Sequence, residues 1–356
     1  MNSDKYIGLD VHQATVSVAV LDSAGKLVME CTIETKAETI LQFFHGLRGN
    51  LSVTFEEGTC AAWLYDLLKP PRVNRVVVCN PRKNALLKSG NKSDRIDARK
   101  LAELLRSGLL SPVYHGETGV RTLKELARSY LTTAKDLTRV MNRLKALYRS
   151  WAIPCAGQQV YAPRHRAEWL GKLSEAGVHH RAERLYQQLD LLQSLRREAR
   201  LELLAESRKH PATRWLRKIP YLGPVRVAVL IALLQTPHRF RTKRQLWAYS
   251  GLALETHTSA DYRFVDGQLQ RSRKLLAIRG LNKNHNHDLK YLFKSTATAA
   301  SARPGPFGDF YDGLLAKGMK PSMARLTLAR KIAAITLAIW KKGGRFDAEQ
   351  LKRQAA

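Results

Sequence analysis

The sequence predicts an α/β domain followed by a mostly helical remainder. Three observations lead there. Short apolar runs with strand-like alternation crowd into the first 80 residues, apolar residues recur every three or four positions from residue 121 onward, and the charge changes sign between the two parts.

Residues 6–11 read as a mostly buried strand, and Thr15–Leu21, which alternates valine with smaller residues, as a second. Asp22-Ser23-Ala24-Gly25 is a turn leading to a third strand over 26–33. Helical periodicity follows through Ile40, Leu41, Phe43, Phe44 and Leu47. Residues 51–55 are strand-like, Ala61–Leu68 is helical, and Arg75–Cys79 is a short buried strand. The order is βββ-α-β-α-β, then a helix from about residue 94. It matches the ribonuclease H-like, or RuvC-like, mixed sheet, in which a three-strand meander is joined by two crossover strands. In that architecture the middle of the first strand, the end of the fourth and the last helix converge on one cleft.

Carboxylates stand at those three places. Asp10 lies in the first strand, Glu57 closes the fourth, and Asp94 and Asp97 begin the last helix. Residues three apart on a helix share a face, so both helix acids can point into one site. Taken singly, an acid such as Asp94 is a helix cap or dipole partner. Taken together, four carboxylates repel unless a divalent cation sits among them, and an all-oxygen set suits Mg²⁺. Glu56 rivals Glu57, because strand alternation sends one inward and the other outward. The basic stretch 82–92 reads as a solvated loop, with a backbone-phosphate clamp as its functional alternative.

From residue 121 a coiled-coil-like stripe runs through Leu123, Leu126, Tyr130, Ala134, Leu137, Met141, Leu144 and Tyr148. A second covers Leu185, Leu189, Leu192, Leu195, Ala199 and Leu203. With Pro154, Gly157, Pro163 and Gly171 between them, the two predict an antiparallel helical hairpin with an irregular tip. A third unit starts near Pro211. Its Ile219-Pro220-Tyr221-Leu222-Gly223-Pro224, ahead of an apolar helix, is a weak match to a helix-hairpin-helix phosphate-binding turn, weak because Tyr221 stands where glycine is usual. Asn284-His285-Asn286-His287-Asp288 looks like a metal cluster but reads better as a helix cap, and 321–341 as a core helix. The expected organisation is therefore a catalytic domain over 1–115, a helical arm over 116–209, a mostly helical C-terminal domain over 210–345 and a tail over 346–356.

The 356 residues carry a formal net charge of +30, yet residues 1–60 hold only 4 Lys+Arg against 8 Asp+Glu, leaving +34 for the remainder. An acidic catalytic module joined to a polyanion-binding body fits this asymmetry, with nucleic acid as the polyanion. The basic residues are spread too widely for a membrane-surface anchor. Cys31, Cys60, Cys79 and Cys155 have no paired spacing, so neither a disulfide framework nor a zinc site is indicated. The chain opens polar and its longest apolar runs are too short to span a bilayer, which predicts a soluble, cytoplasmic protein, nucleoid-associated when bound to DNA.

Along nearly its whole length the sequence resembles the insertion sequence 110 group of DEDD transposases, regarded as RNA-guided recombinases. The resemblance rests on Gly8-Leu9-Asp10-Val11-His12, Glu57-Gly58-Thr59 with Trp63, Asn80-Pro81, Lys92-Ser93-Asp94-Arg95-Ile96-Asp97-Ala98, Ile219-Pro220 with Gly223-Pro224, Tyr249-Ser250-Gly251-Leu252 and His257-Thr258-Ser259. It implies a DNA transposase in which Asp10, Glu57, Asp94 and Asp97 bind Mg²⁺ and a C-terminal-domain serine, Ser259, attacks DNA. Two departures bear on that serine. Ala260 follows it where the family often has glycine, and Ala253-Leu254 stand where proline is common, which keeps Ser250 as the fallback. The resemblance further implies donor and target duplexes as partners, a structured noncoding guide RNA, and a homo-oligomer, dimer to tetramer. A RuvC-like junction nuclease with an idle serine, and a non-catalytic nucleic-acid-binding protein, are the alternatives.

Overall fold

The computed structural model describes residues 4–70, 73–83, 93–115, 120–257, 262–271 and 277–353. It divides into two compact units, 1–116 and 117–356.

The first unit is built on β1 (Asp4–Val11), β2 (Thr15–Leu21), β3 (Leu27–Glu34), β4 (Asn50–Glu56) and β5 (Arg75–Cys79). The sheet order is β3-β2-β1-β4-β5, with β1 antiparallel to β2 and parallel to β4. That is the mixed sheet the element order predicts. Helices α1 (Ala37–His45) and α2 (Ala61–Leu68) cover one face. There Ile40, Phe44, Leu64 and Leu68 pack with Ile7, Leu9, Val16, Val18, Val20, Val53 and Phe55 in one buried core. Strand residues of the other parity belong to the opposite face, where α3 (Asp94–Arg106) lies against β1 and β2. Its buried stripe is Ala98, Leu101, Ala102 and Leu105.

The second unit opens with α4 (Arg121–Ser150). After two short 3-10 turns and α5 (Arg166–Gly171) comes α6 (Ala176–Ser207). Tyr148 near the end of α4 bonds hydroxyl to hydroxyl with Tyr186 near the start of α6, at 3.1 Å, while Leu123 and Leu203 share a core at the other end. The two helices therefore run in opposite directions. Their contacts fall into two separate cores. One, at the tip, gathers Leu137, Leu144, Tyr148, Leu185, Tyr186 and Leu189 with Cys155, Val160, Tyr161 and Trp169 from the connecting segment. That segment is thus a packed cap rather than a bare loop: its aromatics fill the hairpin end although their spacing has no helical period.

The other core, at the base, joins Leu123, Ala127 and Leu203 to the later helices. These are α7 (Ala212–Leu216), α8 (Pro224–Leu234), α9 (Lys243–Tyr249), α10 (His287–Ser301), α11 (Pro306–Ala316), α12 (Pro321–Lys342) and α13 (Ala348–Arg353). Tyr221, before α8, has φ +64°, the left-handed backbone that glycine would adopt at less cost. Asn286 caps α10 by accepting the Leu289 N–H at 3.0 Å, the role expected for the histidine-flanked asparagine. Between α9 and α10 lie strands the periodicity does not announce: β6 (Leu254–His257), β7 (Tyr262–Val265), β8 (Gln268–Arg271) and β9 (Ala277–Leu281), paired as β6–β9 and β7–β8.

Candidate active site

The site is built where β1 ends and α3 begins. Gly8 makes their close approach possible, because a Cβ there would stand 2.1 Å from the Ala98 carbonyl oxygen and 2.5 Å from the Ala102 nitrogen. Two residues on, Asp10 shares the face of Gly8. Ser93 caps α3, its hydroxyl accepting from the Ile96 N–H at 3.3 Å, so Asp94 and Asp97 fall in the first turn. Their charges there are favoured by the helix dipole. Arg99 ties the helix to β3 through paired contacts of 2.6 and 2.7 Å with the Glu30 carboxylate.

Asp10, Asp94 and His12 each present a ligand atom within 4.8 Å of the other two. His12 Nε2 lies 3.2 Å from Asp10 Oδ2 and 3.5 Å from Asp94 Oδ1. Burial pushes the Asp10 carboxyl above its ordinary value; His12 pulls it down, and the charges of Asp94 and Asp97 push it up again. Asp97 Oδ1 is buried and meets no hydrogen-bond donor among the described residues. A buried carboxylate oxygen without a donor is costly, and a hard divalent cation is a group that would satisfy it. The residues present fit such an ion.

Strand register bears on Glu56 and Glu57. Gly8 pairs with Thr54 and Leu9 with Phe55, so the next step sets Asp10 beside Glu56, the last residue of β4, on the α3 face. Glu57 comes after the strand. Its N–H donates to the Cys79 carbonyl at 2.8 Å and its Oε2 sits 2.6 Å from His115 Nε2, with the His115 ring stacked on Tyr65 at 5.0 Å. Glu57 is outside the group formed by Asp10, His12 and Asp94. Glu56 and His12 instead line a cleft of about 440 Å³ with Gln13, Thr59 and Cys60.

Ser250 is fully buried and its hydroxyl donates to the Leu246 carbonyl at 2.6 Å. Ser259, between β6 and β7, lies outside the described residues, as do Gly90, Asn91 and Lys92 and most of the basic stretch before them. Sequence reasoning missed two residues of this region. His12 was discoverable, since it stands two positions after Asp10, just past the end of β1, within reach of the same carboxylate. His115, 58 positions from Glu57, gave no signal.

Two family models match the chain: the IS110 DEDD transposase model over residues 7–151 and the transposase IS116/IS110/IS902 family model over 213–312. The chain belongs to the IS110 family of transposases. The first model covers β1 from Ile7 onward, α3, and Asp10, Glu56, Glu57, Asp94 and Asp97; the second covers both serines. The IS110-family chain is also 28% identical over 185 residues to the transposase for insertion sequence element IS1533 from Leptospira borgpetersenii, a match covering 49% of this chain. It spans about half the length (51%) of that relative. A DEDD transposase implies a divalent metal, which agrees with the acidic group at the end of β1. No helix among the described residues is long and apolar enough to cross a membrane.

Proposed function

We propose that this protein is an insertion-sequence recombinase that cuts and rejoins DNA with a Mg²⁺-dependent acidic site and a nucleophilic serine, Ser259. The observation that carries the proposal is the gathering of Asp10 and Asp94 within ligand distance beside the unsatisfied Asp97 oxygen. Asp10, Asp94 and Asp97 are the ligands, and the strand register favours Glu56 over Glu57 as the fourth. Bound divalent cations would supply Lewis-acid stabilisation of the charge that develops on a phosphodiester under attack.

The chain's own residues do the rest. The α3 cap and the Glu30–Arg99 pair hold the two helix acids in place. The Ser259 hydroxyl attacks phosphorus, forming a phosphoserine bond and releasing a 3′ hydroxyl; attack by a 3′ hydroxyl of a second duplex on that phosphoserine re-forms the serine hydroxyl and joins the strands. The +34 charge outside the first 60 residues suits a body that grips nucleic acid through its backbone, and family resemblance supports a structured noncoding RNA as the guide and an assembly of several chains.

The test is strand exchange between donor and target duplexes by purified protein with its co-purifying RNA and Mg²⁺. Recombinant product and a DNA–protein adduct are expected, both lost in Ser259→Ala and Asp10→Asn. Cleavage at an undiminished rate in Ser259→Ala would replace the recombinase with a nuclease that activates water.

A further inference from the structure

We propose that His12 is a ligand of the same metal centre, which makes the site a mixed imidazole–carboxylate one with a preference for Mn²⁺ over Mg²⁺. The inference rests on the metal reading above and goes beyond its four acids. An octahedral ion bound at about 2.1 Å holds neighbouring ligand atoms about 3.0 Å apart and opposite ones about 4.2 Å apart. His12 Nε2 stands 3.2 and 3.5 Å from one oxygen each of Asp10 and Asp94, and all three atoms lie within 4.8 Å of one another. Those are the spacings of ligands around one ion, slightly opened.

His12 is also held where it is. Its N–H donates to the Thr15 carbonyl at 2.9 Å, and its carbonyl accepts from the Thr35 hydroxyl at 2.9 Å. The residue is thereby pinned between the start of β2 and the segment after β3, and its ring is aimed back over β1. Half of the side chain is exposed, so an ion can reach it from the cleft it lines with Glu56. Carboxylate-only sets suit Mg²⁺, whereas an imidazole nitrogen shifts preference toward transition metals. A pairing of imidazolium with two carboxylates, and no ion contact, is the competing explanation of the same distances.

Pulsed electron paramagnetic resonance of Mn²⁺ bound to the full chain separates them, because a directly bound imidazole gives a ¹⁴N modulation that carboxylates do not. The modulation is expected in the wild type, lost in His12→Ala and His12→Gln, and retained in His115→Ala and in His179→Ala, which disables His179-His180-Glu183, the other histidine–acid group among the described residues. Incorporating ¹⁵N-histidine must convert it to the ¹⁵N pattern with no substitution at all, so the test survives a variant that misfolds. In titrations, His12→Ala should lose at least about tenfold in Mn²⁺ affinity, the loss that even outer-shell partners of metal ligands cause, with a smaller loss for Mg²⁺. Mn²⁺ uptake that depends on Asp10 but shows no nitrogen modulation, or modulation that survives in His12→Ala, overturns the His12 assignment alone. Uptake insensitive to Asp10→Asn overturns the metal reading and His12 with it.

Discussion

Gly8 of β1 and Ala98 of α3 meet backbone to backbone, with no room between them for a methyl group: a Cβ on Gly8 would be 2.1 Å from the Ala98 oxygen. The helix carrying Asp94 and Asp97 owes its position to that absence. Gly8→Ala should push α3 outward and cost about 1–3 kcal/mol of stability by overpacking. Strand exchange should fall sharply although every acid is intact. Thermal denaturation read beside recombination checks both; unaltered activity would mean that the helix tolerates the shift.

Asp10→Asn separates the electrostatic cost of the site from its use. Burial and the neighbouring acids raise the Asp10 carboxyl. A raised folded-state value means that the ionised form is disfavoured by the fold. Its contribution to stability is present below the unfolded value and lost as pH rises through the folded one. At neutral pH without metal, the variant should therefore be as stable as the wild type or more so. Added Mg²⁺ or Mn²⁺ should stabilise only the wild type, by about 2.7 kcal/mol at a hundredfold excess over Kd. Melting curves with and without metal give the answer.

Glu56 and Glu57 are adjacent and chemically alike, but the strand register sets Glu56 beside Asp10 while Glu57 engages His115. Glu56→Gln should reduce cleavage by on the order of a hundredfold, the upper end of what losing a metal-site partner costs. Glu57→Gln should keep most of it. The reverse outcome would return the role to Glu57.

The serines give a similar contrast. Ser250→Ala removes a hydroxyl that back-bonds to the Leu246 and Trp247 carbonyls of its own helix turn, so recombination should be retained. Ser259→Ala should abolish the DNA–protein adduct. An adduct that persists in Ser259→Ala on a denaturing gel would remove Ser259 from the mechanism.

The sheet and the Asp10–Asp94 meeting were legible because each rests on local pattern: strand alternation, a capping serine, and acids three apart on a helix. The choice between Glu56 and Glu57 was not, since it depends on which β1 residue faces which β4 residue, a pairing that neither strand encodes alone. The strands of the second unit escaped for another reason. Residues 254–281 are short and polar, and their one clear mark is Asp266-Gly267, whose φ values of +52° and +78° form a hairpin turn between β7 and β8. The tip of the hairpin was unreadable because Tyr161 and Trp169 are buried by tertiary packing against the two flanking helices, which leaves no periodic pattern in the segment itself.

The apolar packing of the two long helices is concentrated at their two ends. Residues 132–136 of α4 and 193–198 of α6 belong to neither core, although Lys135 reaches Asp288 of α10 at 2.8 Å. Those turns lack the apolar packing that stiffens either end, so a bend between the aromatic cap and the base is expected to concentrate there. Amide exchange should be fastest in those two stretches and slow on either side. A pivot of this kind would let the cap track a curved or moving partner without unfolding either anchor.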